Sequence, residues 1–240
     1  VKRPSEDQTG RKTWTRAPLT PTSFEAAVER GRMALSKRVG VLARFELAGR
    51  QRALVYKTLV LTGLRKGELA SLAVGDFRLD HSPPFVTLHS RADKSRRGAE
   101  VPIRADLAED LARWLVTRLE TARATAERRG DAIPERLSRD TPVFLVPAGI
   151  WRALDHDLAA AGIPKRDERG RTVDVHALRH SFGTLLSRSG VFPRTAQAAM
   201  RHSTIDLTMN LYTDPKLLEV AAALELLPRL PGSFLSGSLV

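Results

Sequence analysis

His176-Ala177-Leu178-Arg179 sets a histidine and an arginine three residues apart, and on a helix that spacing puts both on one face. A guanidinium offers a planar fork of donors to an oxyanion, and an imidazole can move a proton near neutral pH. The pair also fits a plainer reading, a histidine at a helix start and a surface arginine. His180 follows at once, and the segment runs on through Ser181-Phe182-Gly183-Thr184 into apolar Leu185-Leu186. Its helix is therefore expected to be semi-buried, and a buried arginine needs an anionic partner. Thr62-Gly63-Leu64-Arg65-Lys66-Gly67-Glu68-Leu69 places Arg65 just past one helix and at the start of another, with Glu68 facing it three residues on. A helix–helix turn with a local ion pair is the alternative there. Met200-Arg201-His202 is followed, ten residues after His202, by Tyr212. A phenol can serve as a nucleophile, or be one more residue of an amphipathic helix. Tyr56, the only other tyrosine, lies in an apolar helix and reads as core.

Other constellations are missing. Gly63-Leu64-Arg65-Lys66-Gly67 lacks the spacing of a phosphate-cradling loop, and there is no HExxH pair or GxSxG elbow. The acidic residues do not cluster as a two-metal nuclease would need. With no cysteine among 240 residues, the chain has no disulfide, thiol nucleophile or thiolate metal site. The net charge of +12 favours a polyanionic partner, nucleic acid ahead of membrane. Arginine supplies 31 of the 39 basic residues; a GC-rich coding sequence would explain that bias, though not the charge. Residues 201–240 carry a net charge of −1, so the positive charge sits in residues 1–200 and the C-terminal segment has a different task. Runs such as Leu59-Val60-Leu61 are far too short to span a bilayer.

The elements that must position these groups follow from periodicity and punctuation. Residues 1–20 read as a polar basic arm or linker ending near Thr20-Pro21. Thr22-Ser23 offers a cap for a helix through Phe24, Ala27, Val28 and Gly31. A helix over about Arg50 to Thr62 buries Leu54, Tyr56, Leu59, Val60 and Leu61, and Gly63 ends it. Arg65 to Leu72 starts a short helix. Phe85 to His89, a basic turn over Arg91 to Gly98, and Glu100 to Ile103 form a β-hairpin with Lys94, Arg96 and Arg97 near its tip. Residues 105–128 form an amphipathic helix with the stripe Leu107, Leu111, Trp114, Leu115, Leu119 and Ala122. Further helices are expected over 148–161, 175–189, 193–201, 204–212 and 216–227, with polar loops over 129–141 and 162–173. The fold class is mainly α with a small antiparallel sheet (α+β) near residues 75–103.

Taken in order, the arginine of Thr-Gly-Leu-Arg-x-Gly-Glu-Leu, a hairpin lysine, His-x-Leu-Arg-His, then a histidine and a late tyrosine resemble the tyrosine recombinase (phage-type integrase) family. The resemblance covers about residues 21–228, the family's catalytic domain, leaving 229–240 as a flexible tail. It implies a mainly helical fold with a small three-stranded sheet, and an enzyme that cuts and rejoins DNA strands through a 3′-phosphotyrosyl intermediate. It implies Arg65, Lys94, His176, Arg179, His202 and Tyr212 as catalytic groups. Glu68 and His180 would support them, and Lys66, Arg91, Arg96, Arg97 and Arg201 would contact DNA. Arg91, Arg96 and Arg97 crowd the turn that holds Lys94. Two departures stand out. The usual Leu-Gly-His is Met200-Arg201-His202 here, and the step from His202 to Tyr212 is ten residues where nine is more familiar. Transposon-type integrases tolerate that step.

The resemblance further implies no cofactor and no metal, double-stranded DNA as partner, and a bacterial cytoplasmic, nucleoid-associated setting. It implies a tetramer on DNA that exchanges a C-terminal segment in trans, and leaves open a monomer in isolation. Leu217-Leu218, Val220, Ala221, Leu224 and Leu226-Leu227 give an apolar C-terminal helix that would dock on a neighbour or on its own domain. The family's upstream DNA-clamping domain is not visible, so a catalytic fragment with weak, salt-sensitive DNA binding is expected. Rival readings are a type IB topoisomerase, an inert DNA-binding module of the same fold, and a basic RNA-binding protein, for which an aromatic content of 5% leaves few stacking platforms.

Overall fold

Leucine, valine and threonine recur along one face of a helix much longer than its strongest signal. This helix, α1, runs Leu35–Thr62, where the sequence marks only about 50–62. The structure, a computed structural model, describes residues 5–6, 12–13, 25, 35–89, 98–168 and 170–212. The chain divides into two units, residues 1–52 and 53–240. In the first, the strands β1 (Ser5–Glu6) and β2 (Lys12–Thr13) pair antiparallel, with Ser5 opposite Thr13. That pairing falls inside the stretch read as a basic arm or linker. The helix expected over 22–31 lies outside the described residues apart from Glu25, which is helical, and the helix expected over 216–227 lies wholly outside them.

The second unit carries the core. On the last part of α1 the buried residues are Val55, Thr58, Leu59 and Thr62, while Leu54, Tyr56, Val60 and Leu61 are half-buried. The expected face is thus rotated toward two threonines. They tolerate burial because each hydroxyl donates to its own helix, Thr58 to the Leu54 carbonyl at 2.7 Å and Thr62 to the Thr58 carbonyl at 2.6 Å. Tyr56 sits at the rim and donates to Asp157 at 2.9 Å. After Gly63 the chain enters α2 (Lys66–Ala70), then a 3₁₀ turn at Val74–Asp76.

The strands β3 (Phe77–Arg78), β4 (Phe85–Leu88) and β5 (Ala99–Pro102) form an antiparallel sheet in that order. Phe77 lies opposite Val86, and Val86 opposite Val101. The period of two puts Phe77, Val86, Leu88 and Val101 on the buried face. Pro102 closes an edge strand, where its missing N–H does no harm. The helix α3 (Ala105–Arg129) follows and buries Leu107, Ala108, Leu111, Trp114 and Ala126, while Leu115, Leu119 and Ala122 are half-buried. The Trp114 indole donates to the Val143 carbonyl at 2.9 Å and its ring stacks on Phe144, centroids 6.4 Å apart. Lys57 of α1 reaches Asp110 of α3 at 2.6 Å, which ties the two helices at their polar edge.

Four helices complete the described fold: α4 (Ile150–Ala160), α5 (Ala177–Arg188), α6 (Pro193–Met200) and α7 (Asp206–Tyr212). The last three pack on one another. Among the described residues no helix is long and apolar enough to cross a membrane.

Candidate active site

The site grows from helix ends. A helix leaves its last carbonyls without intrahelical partners, and these carry partial negative charge. The α1 helix ends at Thr62, and Gly63 takes φ +61, the left-handed conformation that suits glycine. A Cβ at Gly63 would stand 2.4 Å from the Phe182 ring of α5, so this position needs glycine twice over. The close approach brings α5 against the end of α1 and lets Arg179 reach the Gly63 carbonyl.

Arg179 is only 3% exposed. Its guanidinium donates Nη1 to the Gly63 carbonyl and Nη2 to the Met200 carbonyl, the ends of α1 and α6. In place of the anionic partner expected of a buried arginine, Arg179 bonds two neutral helix-end carbonyls. Burial pushes the Arg179 pKa down to about 10, with Arg65 and Arg201 repelling it and Glu68 opposing them, so it stays charged at neutral pH.

Glu68 is the buried carboxylate at the centre, 1% exposed. Its Oε1 accepts from Arg65 Nη1 at 2.5 Å, and its Oε2 accepts from the Arg65 backbone N–H at 2.8 Å. The expected Arg65–Glu68 pair is present, and Arg65 keeps 32% of its side chain exposed. Oε2 also accepts from Arg201 Nη2 at 2.8 Å. Arg201, expected on DNA, turns inward and is 13% exposed. Two guanidiniums thus pair with one carboxylate, and a third, Arg179, lies within electrostatic reach of it, an excess of positive charge suited to an oxyanion.

The turn after α6 places the next group. Arg201 adopts φ 53, and the His202 N–H donates back to the Gln197 carbonyl at 3.1 Å, with the Arg201 N–H on Ala198. This is a Schellman-type ending, which fixes where His202 leaves the helix. The half-buried His202 ring meets the Thr208 hydroxyl through Nδ1 at 3.0 Å. Burial, then Arg179 and Arg65, push its pKa down to about 4, so it is neutral at pH 7. His176 stands at the start of α5, edge-on to His180 with centroids 4.9 Å apart. The His180 pKa is lowered by desolvation first and by His176 next.

The structure therefore brings together Arg65, Glu68, Arg179, Arg201 and His202, with the His176–His180 pair on the same helix as Arg179. Lys66 is exposed and, among the described residues, reaches the Ala148 carbonyl at 3.5 Å. Tyr212 is the last residue of α7, the helix that packs on α5 and α6. Lys94, Arg91, Arg96 and Arg97 lie outside the described residues. Among the described residues no group of three or more His, Asp or Glu could hold a metal ion. Sequence reasoning missed Thr208, which is buried against His202. Its signal was its place four residues before Tyr212 on one helix.

The sequence and the fold resemble those of known proteins. The phage integrase family matches residues 42–217. A tyrosine recombinase of Pseudothermotoga lettingae is 27% identical over 174 residues, 72% of this chain and 53% of that protein. The tyrosine recombinase XerD of Xanthomonas campestris pv. campestris is 32% identical over 171 residues, 68% of this chain and 47% of that protein. The chain spans about half the length of these curated relatives. Among solved structures, XerA recombinase matches with a TM-score of 0.55 at 22% identity, over 77% of this chain and 60% of that one. XerH bound to its difH substrate in a pre-cleavage complex matches with 0.51 at 21% identity, over 93% and 60%. These structures share the fold. With the arginine, histidine and tyrosine motifs in order along the matched span, the chain belongs to the phage integrase family.

Proposed function

We propose that this protein is a site-specific DNA recombinase that cleaves and rejoins strands through a 3′-phosphotyrosyl intermediate. The observation that carries the reading is the buried Glu68 carboxylate holding Arg65 and Arg201 beside Arg179, at the joint that leads into the helix ending in Tyr212. A phosphodiester is anionic and resists a nucleophile until its non-bridging oxygens are neutralised. Arg65, the most open of the three guanidiniums, takes the phosphate, and Arg179 supplies a fixed charge from the floor of the site. The Tyr212 oxygen attacks phosphorus and its proton passes to His176. The bond to the 5′ oxygen breaks, and Lys94 protonates that leaving oxygen. A neutral His202 whose Nδ1 accepts the Thr208 hydroxyl proton carries its own N–H on Nε2 and can donate it to the phosphate. The phosphotyrosyl ester keeps the bond energy, so a 5′-hydroxyl from another strand reverses the same steps.

Exchange between strands requires several sites at once. The working assembly we propose is a tetramer on double-stranded DNA, joined by docking of the apolar segment around Leu217 to Leu227 on a neighbour, in the bacterial cytoplasm on the nucleoid. The test is incubation of the chain with a pool of nicked suicide duplexes of randomised sequence. A complex that survives denaturing electrophoresis in the wild type and disappears in Tyr212→Phe is the expected result. No complex with any duplex, or one that persists in Tyr212→Phe, overturns the mechanism.

A further inference from the structure

Among the described residues Arg201 is the one non-glycine with a positive φ. A left-handed turn is open to glycine at little steric penalty, whereas a side chain there needs support from its surroundings. Arg201 has that support: its guanidinium is 13% exposed, with Nη2 at 2.8 Å from Glu68 Oε2 and 3.4 Å from the Gly63 carbonyl. The Gly63 carbonyl is the one that holds Arg179, and Glu68 is the carboxylate that holds Arg65. Arg201 therefore touches the partners of both other arginines, and does so from the residue that sets the exit angle of His202.

The way Glu68 is shared carries the point. An arginine beside a carboxylate frequently forms a fork with both oxygens. Here Arg65 meets the carboxylate through Nη1 and Oε1, while Oε2 is taken by Arg201 and the Arg65 backbone N–H. We propose that Arg201 is a positioning residue for Arg65. By occupying Oε2 it keeps Arg65 end-on, so that the rest of the Arg65 fork faces the phosphate site. This rests on the phosphoryl-transfer reading above for its purpose, though not for its geometry.

The test uses the full chain with Arg201→Gly, which suits the left-handed turn, and Arg201→Lys, which keeps the charge without the fork. A crystal structure of R201G is expected to show Arg65 swung onto both oxygens of Glu68. Orthovanadate, a probe that takes the shape of the pentacovalent phosphorus, is expected to bind R201G about tenfold more weakly by calorimetry. Covalent-complex formation is expected to fall at least as far in rate with little change in the duplex concentration for half-saturation, and R201K to recover part of it. An Arg65 still end-on in R201G, or vanadate binding equal to wild type, overturns the proposal. If R201G does not fold, Arg201→Asn, which also accepts the left-handed turn and removes the guanidinium, carries the same readings. If the wild type forms no covalent complex, the transfer reading falls, and the crystal structure alone still decides whether Arg201 places Arg65.

Discussion

The sheet with α3 and the joint of α5, α6 and α7 are held together by different forces. In the first, Phe77, Val86, Leu88, Val101, Leu107 and Leu111 make an apolar core whose partners are interchangeable in kind. In the second, the buried groups include Arg179 and Thr208 together with Glu68 of α2, and each is placed by a particular acceptor or donor. An apolar contact has no preferred direction, so a core of this sort fixes the fold and tolerates exchange of similar volumes. A charge taken out of water needs its partner at the right angle, so the joint fixes directions. A site that must orient two guanidiniums and an imidazole is built from the second kind of contact.

Paired substitutions separate the two regions most widely. Arg179→Lys leaves one ammonium to serve both the Gly63 and Met200 carbonyls, which face it from different helices. Covalent-complex formation is expected to fall by a factor of about 100 or more, since a directed cation near the reacting phosphate is lost. Leu111→Ala opens a cavity in the apolar core and is expected to reduce stability by about 3 kcal/mol. Its rate per folded molecule is expected to stay within about threefold of wild type, as the core touches no reacting group. Measuring denaturant midpoints and single-turnover rates on both variants checks the contrast. A rate loss in Leu111→Ala equal to that of Arg179→Lys would show that the two regions are not separable.

The sequence made the two regions unequally legible. The period of two in β4 and the stripe on α3 identify the sheet and the helix because burial is their only requirement. On α1 the same logic rotates the face. Thr58 and Thr62 count as polar by type, yet their hydroxyls are satisfied within the helix and they are buried. In the joint, residue types pick out Arg65, Glu68, Arg179 and His202, which the structure gathers. The acceptors for Arg179 are backbone carbonyls, which no search by side-chain type can find. The inward turn of Arg201 depends on a left-handed φ that arginine does not advertise. Thr208 reads as an ordinary helix residue until His202 is folded back beside it.

Thr208 gives a smaller and sharper test of directional control. Thr208→Val keeps the shape and removes the hydroxyl that meets His202 Nδ1, so stability should change by less than about 1 kcal/mol. The imidazole loses the hydrogen-bond partner that holds its Nδ1 in place, and covalent-complex formation is expected to slow about tenfold. Thr208→Ser restores the hydroxyl and is expected to restore most of the rate. Equal rates for the valine and serine variants would remove Thr208 from the site.

The smallest effect lies in the pH dependence of stability, and again it belongs to the joint alone. His202 is held down to about 4, first by burial and then by Arg179 and Arg65, whereas an unfolded histidine titrates near 6.5. Between those values the unfolded chain binds a proton that the folded chain does not, so stability rises with pH across that window. The contribution is fully present above about pH 6.5 and is lost as pH falls toward 4. The ring is half-exposed and solvent screens it, which reduces the effect to about 1 kcal/mol. In a chain of this size that corresponds to about 2–4 °C in Tm. The carboxylates titrate over part of the same range, so the wild type must be compared with His202→Asn, which keeps them and lacks the imidazole. The wild-type Tm is expected to fall relative to His202→Asn as pH drops from 7 to 4. The same comparison for Leu111→Ala is expected to show a constant offset, because no charge in the apolar core changes with pH. Parallel curves for wild type and His202→Asn would mean that His202 is solvated like a surface histidine, and that the cations of the joint do not act on it.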